Sequence, residues 1–179
     1  MNKEIQLHDK VFVPFMDEQK IHSAIDKLAS KIQSDYNSKN PVFIGVLNGS
    51  FLFAADLVRR FDGACEVSFV KMASYEGTST SGVVSELIGI NEDLTDRHVI
   101  IVEDIVDTGN TLEKLHEVLK EKNPKSLEIA TLLFKPNAYQ KELPVNYVAM
   151  EVGNEFLVGY GLDYDGLGRN LKDIYIIKE

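Results

Sequence analysis

Val99-Ile100-Ile101-Val102-Glu103-Asp104-Ile105-Val106-Asp107-Thr108-Gly109-Asn110-Thr111 is the stretch on which the fold turns. Val99 to Val102 is a β-branched run of the kind that lies buried on both faces in a parallel sheet. Two adjacent carboxylates follow, then a turn of small residues. A helix then runs through Leu112, Leu115, Val118 and Leu119 and ends near Asn123-Pro124. Strand, turn and helix in this order open a parallel α/β unit, and ligands of such sheets sit beyond the carboxyl ends of the strands.

Working outward, Pro41 to Leu47 is a second short apolar run. It leads into the turn Asn48-Gly49-Ser50, with Ser50 placed to cap a helix that begins at Phe51. Before it, residues 17 to 36 carry Ile21, Ile25, Leu28 and Ile32 at helical spacing, with Asp17 at the capping position. Cys65 to Ala73 and Val83 to Ile90 read as strands flanking Ser74 to Gly82, a small-polar segment with the composition of a flexible loop. Leu127 to Phe134 and Tyr147 to Val152 are further strands. No linker, repeat or low-complexity tract divides the chain. The expectation is a single α/β domain over residues 1–179, built on a mostly parallel twisted sheet flanked by helices.

Composition narrows the function. The chain has 179 residues, 44% hydrophobic and 26% charged, with a net charge of −9. No apolar run reaches the roughly 20 residues of a membrane helix, and the first residues carry no apolar leader core. A single cysteine, Cys65, asks for no oxidising compartment and reads as a core residue. A cytoplasmic protein with no membrane association is expected. Without a basic patch, nucleic acid is not the expected partner. The four histidines show no metal-ligand spacing. An acidic protein that binds a phosphorylated anion needs a local offset of charge, which a divalent metal supplies.

The turn after the strand has the chemistry of a phosphate site. Thr108, Gly109 and Thr111 can bring backbone N–H groups and hydroxyls onto a phosphate at a helix N-terminus, and Gly109 has no Cβ to block the approach. Glu103 and Asp104 cannot ligate phosphate themselves; they suit sugar hydroxyls or a metal, and Asp107 suits proton transfer. An isolated Asp-x-x-Asp is more often an acidic turn capping a helix. Buried strand, paired acids, Asp-Thr-Gly-x-Thr and helix arriving in order favour a site.

The stretch from Val99 to Leu112 resembles the phosphoribosyl-pyrophosphate motif of the type I phosphoribosyltransferases. Glu151 to Tyr164, extending through Arg169-Asn170-Leu171, resembles the purine-binding segment of the hypoxanthine-guanine phosphoribosyltransferases, and Leu132-Leu133-Phe134-Lys135 their base-reading lysine segment. Ser74-Tyr75 stands where that family has its lid pair, and Leu47-Asn48-Gly49 where it has its pyrophosphate loop.

The resemblance implies the type I fold, with a small hood from the N- and C-terminal segments and a long flexible hairpin whose lid spans about residues 74–82. It implies Mg²⁺-dependent transfer of the 5-phosphoribosyl group from phosphoribosyl pyrophosphate to N9 of hypoxanthine or guanine, giving IMP or GMP and pyrophosphate. Asp107 would be the general acid/base near N7. Glu103 and Asp104 would hold the ribose hydroxyls, and Thr108, Gly109, Asn110 and Thr111 the 5′-phosphate. Lys135 would donate to O6, Phe156 would stack on the base, and Leu157 would offer backbone groups to the ring edge. Glu103, Asp104 and Asp163 would meet Mg²⁺, with Asp163 also reaching pyrophosphate. Leu47, Asn48, Gly49, Ser74, Tyr75 and Arg169 would serve the pyrophosphate and the lid. Many relatives carry Lys or Arg where Asn48 stands, so the charge of that side chain is missing here. The family often has a non-proline cis peptide at this loop and tends to form homodimers or homotetramers.

Two other readings stand beside this one. A related enzyme could act on xanthine or uracil; Lys135 and Phe156 favour a 6-oxopurine. A regulator could keep the fold to sense nucleotides and bind RNA or DNA; the net charge of −9 opposes it.

Overall fold

The computed structural model describes residues 3–72, 86–90 and 92–178. The predicted amphipathic helix is α1, Glu18–Tyr36. Asp17 caps it, its carboxylate accepting from the Lys20 N–H at 2.8 Å, and Ile21, Ile25, Leu28 and Ile32 are all buried. Two strands precede it, β1 Ile5–Leu7 and β2 Lys10–Met16. After it come β3 Val42–Val46, α2 Phe51–Val58, β4 Glu66–Met72 and β5 Glu86–Ile88. The remainder is β6 His98–Val106, α3 Asn110–Lys120, β7 Ser126–Phe134, β8 Tyr147–Glu151, β9 Leu157–Val158 and β10 Ile174–Ile177.

The strands make two sheets. The larger has the order β5-β4-β3-β6-β7-β8, parallel throughout except for β5, which pairs antiparallel with β4. The smaller, β1-β2-β10-β9, is antiparallel and joins the N- and C-terminal segments into the expected hood. β4 and β5 are the arms of the expected hairpin. The whole predicted lid, about residues 74–82 with Ser74 and Tyr75, lies outside the described residues.

Alternation along the central strands sorts side chains between two cores. Phe43, Ile100 and Val102 face α1 and α2 and pack with Ile21, Ile25, Phe53 and Leu57. Val42, Ile44, Val99 and Ile101 face α3 and pack with Leu112, Leu115 and Leu119. Helices on both faces explain why these strands read as unbroken apolar runs. A smaller cluster, built around Phe12, Val158 and Tyr175, holds the hood together.

Three local expectations need correcting. The strand expected to stop at Val102 continues to Val106, because β7 goes on pairing with it as far as Val106 opposite Phe134. Glu103 and Asp104 are therefore strand residues and not part of the turn. Ser50 occupies the capping position of α2 but makes no capping bond. Its backbone is already helical (φ −74°, ψ −5°), and its Oγ is buried with no partner among the described residues. Cys65, expected in the core, lies just before β4, half-buried and packed against the core's edge; burial raises its thiol pKa. No helix among the described residues is long and apolar enough to cross a membrane.

Candidate active site

The site lies at the carboxyl end of the parallel sheet, where β6 and β7 end and the hood segment after β9 folds across. Because β6 is extended through Glu103 and Asp104, its alternation sends the two carboxylates to opposite faces. Glu103 lines a cavity of about 120 Å³ with Asp107, Thr108, Gly109, Asn110, Thr111 and Leu112. Asp104 lines a second one, of about 270 Å³, with Ile105, Asp107, Lys135, Phe156, Leu157, Leu162 and Asp163. Asp107 borders both cavities.

The first cavity is formed by the turn between β6 and α3. After Asp107 the chain turns through Gly109, at φ +85°, into the first turn of α3. No side chain caps α3 among the described residues, so the leading N–H groups are left for a ligand, with the helix dipole behind them. Gly109 is required twice over. Its φ lies in the left-handed region, and a Cβ there would stand 2.5 Å from the Tyr139 ring and 2.9 Å from Lys141 Cγ. The segment after β7 thus backs the turn directly. Gln140 donates its N–H to Thr108 O at 3.3 Å, and Lys141 pairs with Glu113 at 2.6 Å. Tyr139 and Lys141 were not legible as site residues in the sequence, since nothing local marks them.

The second cavity brings together residues far apart in the chain. Lys135, 7% exposed at the end of β7, places Nζ 2.8 Å from Asp107 Oδ2. Phe156 is 46% exposed, so it is a wall of the cavity and not core. It is held by ring contacts with Tyr164 (5.7 Å between centroids) and Phe12 (6.4 Å). Tyr164 is itself fixed by donating to Asp9 Oδ1 at 2.7 Å. Ile105 and Leu162 supply apolar surface that the sequence reading did not single out.

The carboxylates carry the strain of the site. Burial pushes Glu103 well above the ordinary range, with the neighbouring charge of Asp104 adding to it, and its Oε2 is buried with no partner among the described residues. Burial lifts Asp104 from 3.8 to about 6; backbone N–H groups and the charge of Arg169 oppose the rise, and the charge of Asp163 adds to it. The protein thus compensates Asp104 only in part and leaves Glu103 Oε2 without a partner among the described residues. Asp163 is ion-paired with Arg169 at 2.6 Å and accepts from the Gly166 N–H at 2.7 Å, while Arg169 also donates to Gly161 O at 2.7 Å. Arg169 thus holds the hood segment in its turn.

Leu47, Asn48 and Gly49 line neither cavity but adjoin the second. The Leu47–Asn48 peptide is cis. Asn48 is exposed, and Gly49 is packed so tightly that a Cβ would lie 1.7 Å from Asp104 Oδ2. Among the described residues no three His, Cys, Asp or Glu side chains gather closely enough to cage a metal by themselves.

The phosphoribosyl transferase domain family matches residues 15–165. The chain belongs to that family. A hypoxanthine-guanine phosphoribosyltransferase of Streptococcus pneumoniae is 42% identical over 165 residues, 92% of each chain. A hypoxanthine phosphoribosyltransferase of Haemophilus influenzae is 42% identical over 160 residues, 87% of this chain and 89% of that one. Among solved structures, a Bacillus anthracis hypoxanthine-guanine phosphoribosyltransferase with HEPES in its active site superposes with a TM-score of 0.87 at 35% identity, covering 95% of this chain and 99% of that one. This phosphoribosyltransferase therefore has relatives of its own length in the hypoxanthine-guanine branch, and the hood and parallel sheet described above are the type I fold of the family.

Proposed function

We propose that the protein is a purine-salvage enzyme that transfers the 5-phosphoribosyl group of phosphoribosyl pyrophosphate to N9 of hypoxanthine or guanine. The observation that carries this is one cavity lined by Lys135, Phe156, Asp107 and Asp163. It joins a buried cation for an exocyclic oxygen, an aromatic wall for a flat base, and carboxylates at the carboxyl end of a parallel sheet. A cation at position 6 favours an oxo group and opposes an amino group, whose donors would meet a like donor.

In the reaction the C1–N9 bond forms, the bond from C1 to the pyrophosphate oxygen breaks, and the proton on N7 passes to the Asp107 carboxylate. Phe156 and Leu157 hold the base and Lys135 sets its orientation. The turn Thr108, Gly109, Asn110 and Thr111 takes the 5′-phosphate, and Glu103 the ribose hydroxyls. Leu47, Asn48 and Gly49 supply the pyrophosphate loop, Ser74 and Tyr75 the lid, and Arg169 and Asp163 the far side of the donor. Catalysis rests mainly on positioning and on charge placed beneath a cationic sugar.

The donor set fits Mg²⁺, a hard cation commonly held by one or two carboxylates and substrate phosphates. Asp104 and Asp163 border the same cavity, and the raised pKa of Asp104 leaves it short of a positive partner. Glu103, on the other face of β6, would meet the ion through the sugar. Bound there, the ion would neutralise the leaving pyrophosphate. We place the enzyme in the cytoplasm, as a homodimer or homotetramer, with small molecules and not nucleic acid as its ligands.

The test is incubation with phosphoribosyl pyrophosphate, Mg²⁺ and hypoxanthine, guanine, xanthine, adenine or uracil in turn, with Asp107→Asn alongside. IMP and GMP formation, abolished by EDTA and strongly reduced in the variant, is the expected result. Nucleotide made only from adenine or uracil, or none from any base, would overturn the proposal.

A further inference from the structure

We infer that Tyr160 and Asp56 form a positioning pair for the phosphoribosyl donor, a reading that rests on the proposed function. Two backbone segments and the Asp104 carboxylate are stacked at this end of the site, with no room for a Cβ between them. Gly49 lies against Asp104, and Gly161, at φ +99°, lies against Gly49, where a Cβ would come within 2.1 Å of Gly49 O. Gly161 O in turn accepts from Arg169, the partner of Asp163. The alignment of Asp104, the pyrophosphate loop and the Asp163–Arg169 pair therefore depends on how closely the hood segment is drawn onto α2.

Tyr160 is the residue placed to draw it in. It lies between two left-handed glycines, Gly159 and Gly161, and is itself at φ +48°, so its backbone follows the turn and its ring is directed into the protein, 4% exposed. The phenol donates to Asp56 Oδ2 on α2, the helix that begins directly after the pyrophosphate loop. Burial and the Asp56 acceptor raise the phenol pKa, keeping it a donor throughout the working range.

Asp56 is anchored from α1 and from the turn that follows α2. His22 of α1 lies 3.4 Å from Oδ2, and Arg60 Nη1 lies 3.5 Å from Oδ1 and donates to the Asp56 carbonyl at 2.8 Å. Arg60 is braced in turn by Asp26. The hydroxyl of Tyr160 thus links the hood turn to α2 and, through Asp56 and His22, to α1, while Tyr160 lines neither cavity.

The experiment compares wild type with Tyr160→Phe, which keeps the ring and removes only the hydroxyl, and with Asp56→Asn, which keeps an acceptor oxygen. Turnover kinetics, calorimetric affinity for phosphoribosyl pyrophosphate with Mg²⁺, and Tm are measured on each. Tyr160→Phe should lower kcat/KM for the donor by about tenfold to a hundredfold and weaken donor binding, with the hypoxanthine KM held within about twofold. Asp56→Asn should retain most of the donor affinity. Unchanged donor constants in Tyr160→Phe would overturn the inference, and so would an equal rise in both KM values accompanied by a fall in Tm. A wild-type protein that binds the donor but turns over no purine would sink the proposed function and leave the pair to be judged by donor affinity. One that does not bind the donor would overturn both.

Discussion

Asp104→Asn should stabilise the free protein, by an amount that depends on pH. In the folded chain the Asp104 carboxyl titrates at about 6 against an ordinary 3.8, because it is buried and faces Asp163. That rise of about two units, at about 1.4 kcal/mol each, is about 3 kcal/mol of destabilisation by the ionised form. The folded state holds its proton more tightly than the unfolded state. The penalty is therefore absent below the unfolded value, grows as pH climbs through the window between the two values, and is complete above the folded one. Asparagine, which never ionises, escapes it. Near pH 7.5 the variant should melt about 5–10 °C above wild type, since a chain of this size gains about 2–4 °C per kcal/mol. Near pH 3.5 the two should melt together. Thermal unfolding monitored by circular dichroism across this range, without divalent cations or donor, reads the difference. A Tm gain of the same size at both ends, or none near neutrality, would refute an electrostatic origin. Turnover should fall at the same time, because in the proposed reaction the charge that costs stability is the one that serves the cation and donor.

Gly109→Ala should cost about 1–3 kcal/mol, because an L-residue is strained at this φ and its Cβ would strike Tyr139; denaturant melts with a parallel rise in donor KM check this. Lys135→Met should raise the hypoxanthine KM by about tenfold to a hundredfold while leaving donor affinity unchanged, which steady-state kinetics and calorimetry separate. Asp17→Ala removes the bond to the Lys20 N–H and should lower stability by about 1 kcal/mol without changing either KM.

Much of the fold was legible from local pattern. The spacing of Ile21, Ile25, Leu28 and Ile32 marks α1, and unbroken apolar runs mark β3 and β6, because periodicity and burial on both faces are written into adjacent residues. The order of strand, acids and Asp-Thr-Gly-x-Thr pointed to residues that do line one cavity, since that cavity is made by one continuous stretch of chain. Ser50 shows the limit of such reading. Its identity suits a cap, but its helical backbone turns the hydroxyl away from capping geometry.

What only the tertiary structure decided are relations between segments that share no local hydrogen bond. Pairing with β7 carries β6 through Glu103 and Asp104, and so places the two acids on opposite faces. The Lys135–Asp107 pair spans 28 positions, and Tyr160–Asp56 spans 104. Phe156 reads as a core aromatic by type, yet Phe12 and Tyr164 support it from behind and leave it exposed to the cavity. The sequence by itself marked the three helices and the strands of the larger sheet, because those depend on neighbours along the chain, but not the hood strands β1, β2, β9 and β10. The depth of each carboxylate, the partner of each cation and the fit of Gly161 on Gly49 depend on long-range packing, and packing exists only once the sheet and hood have closed together.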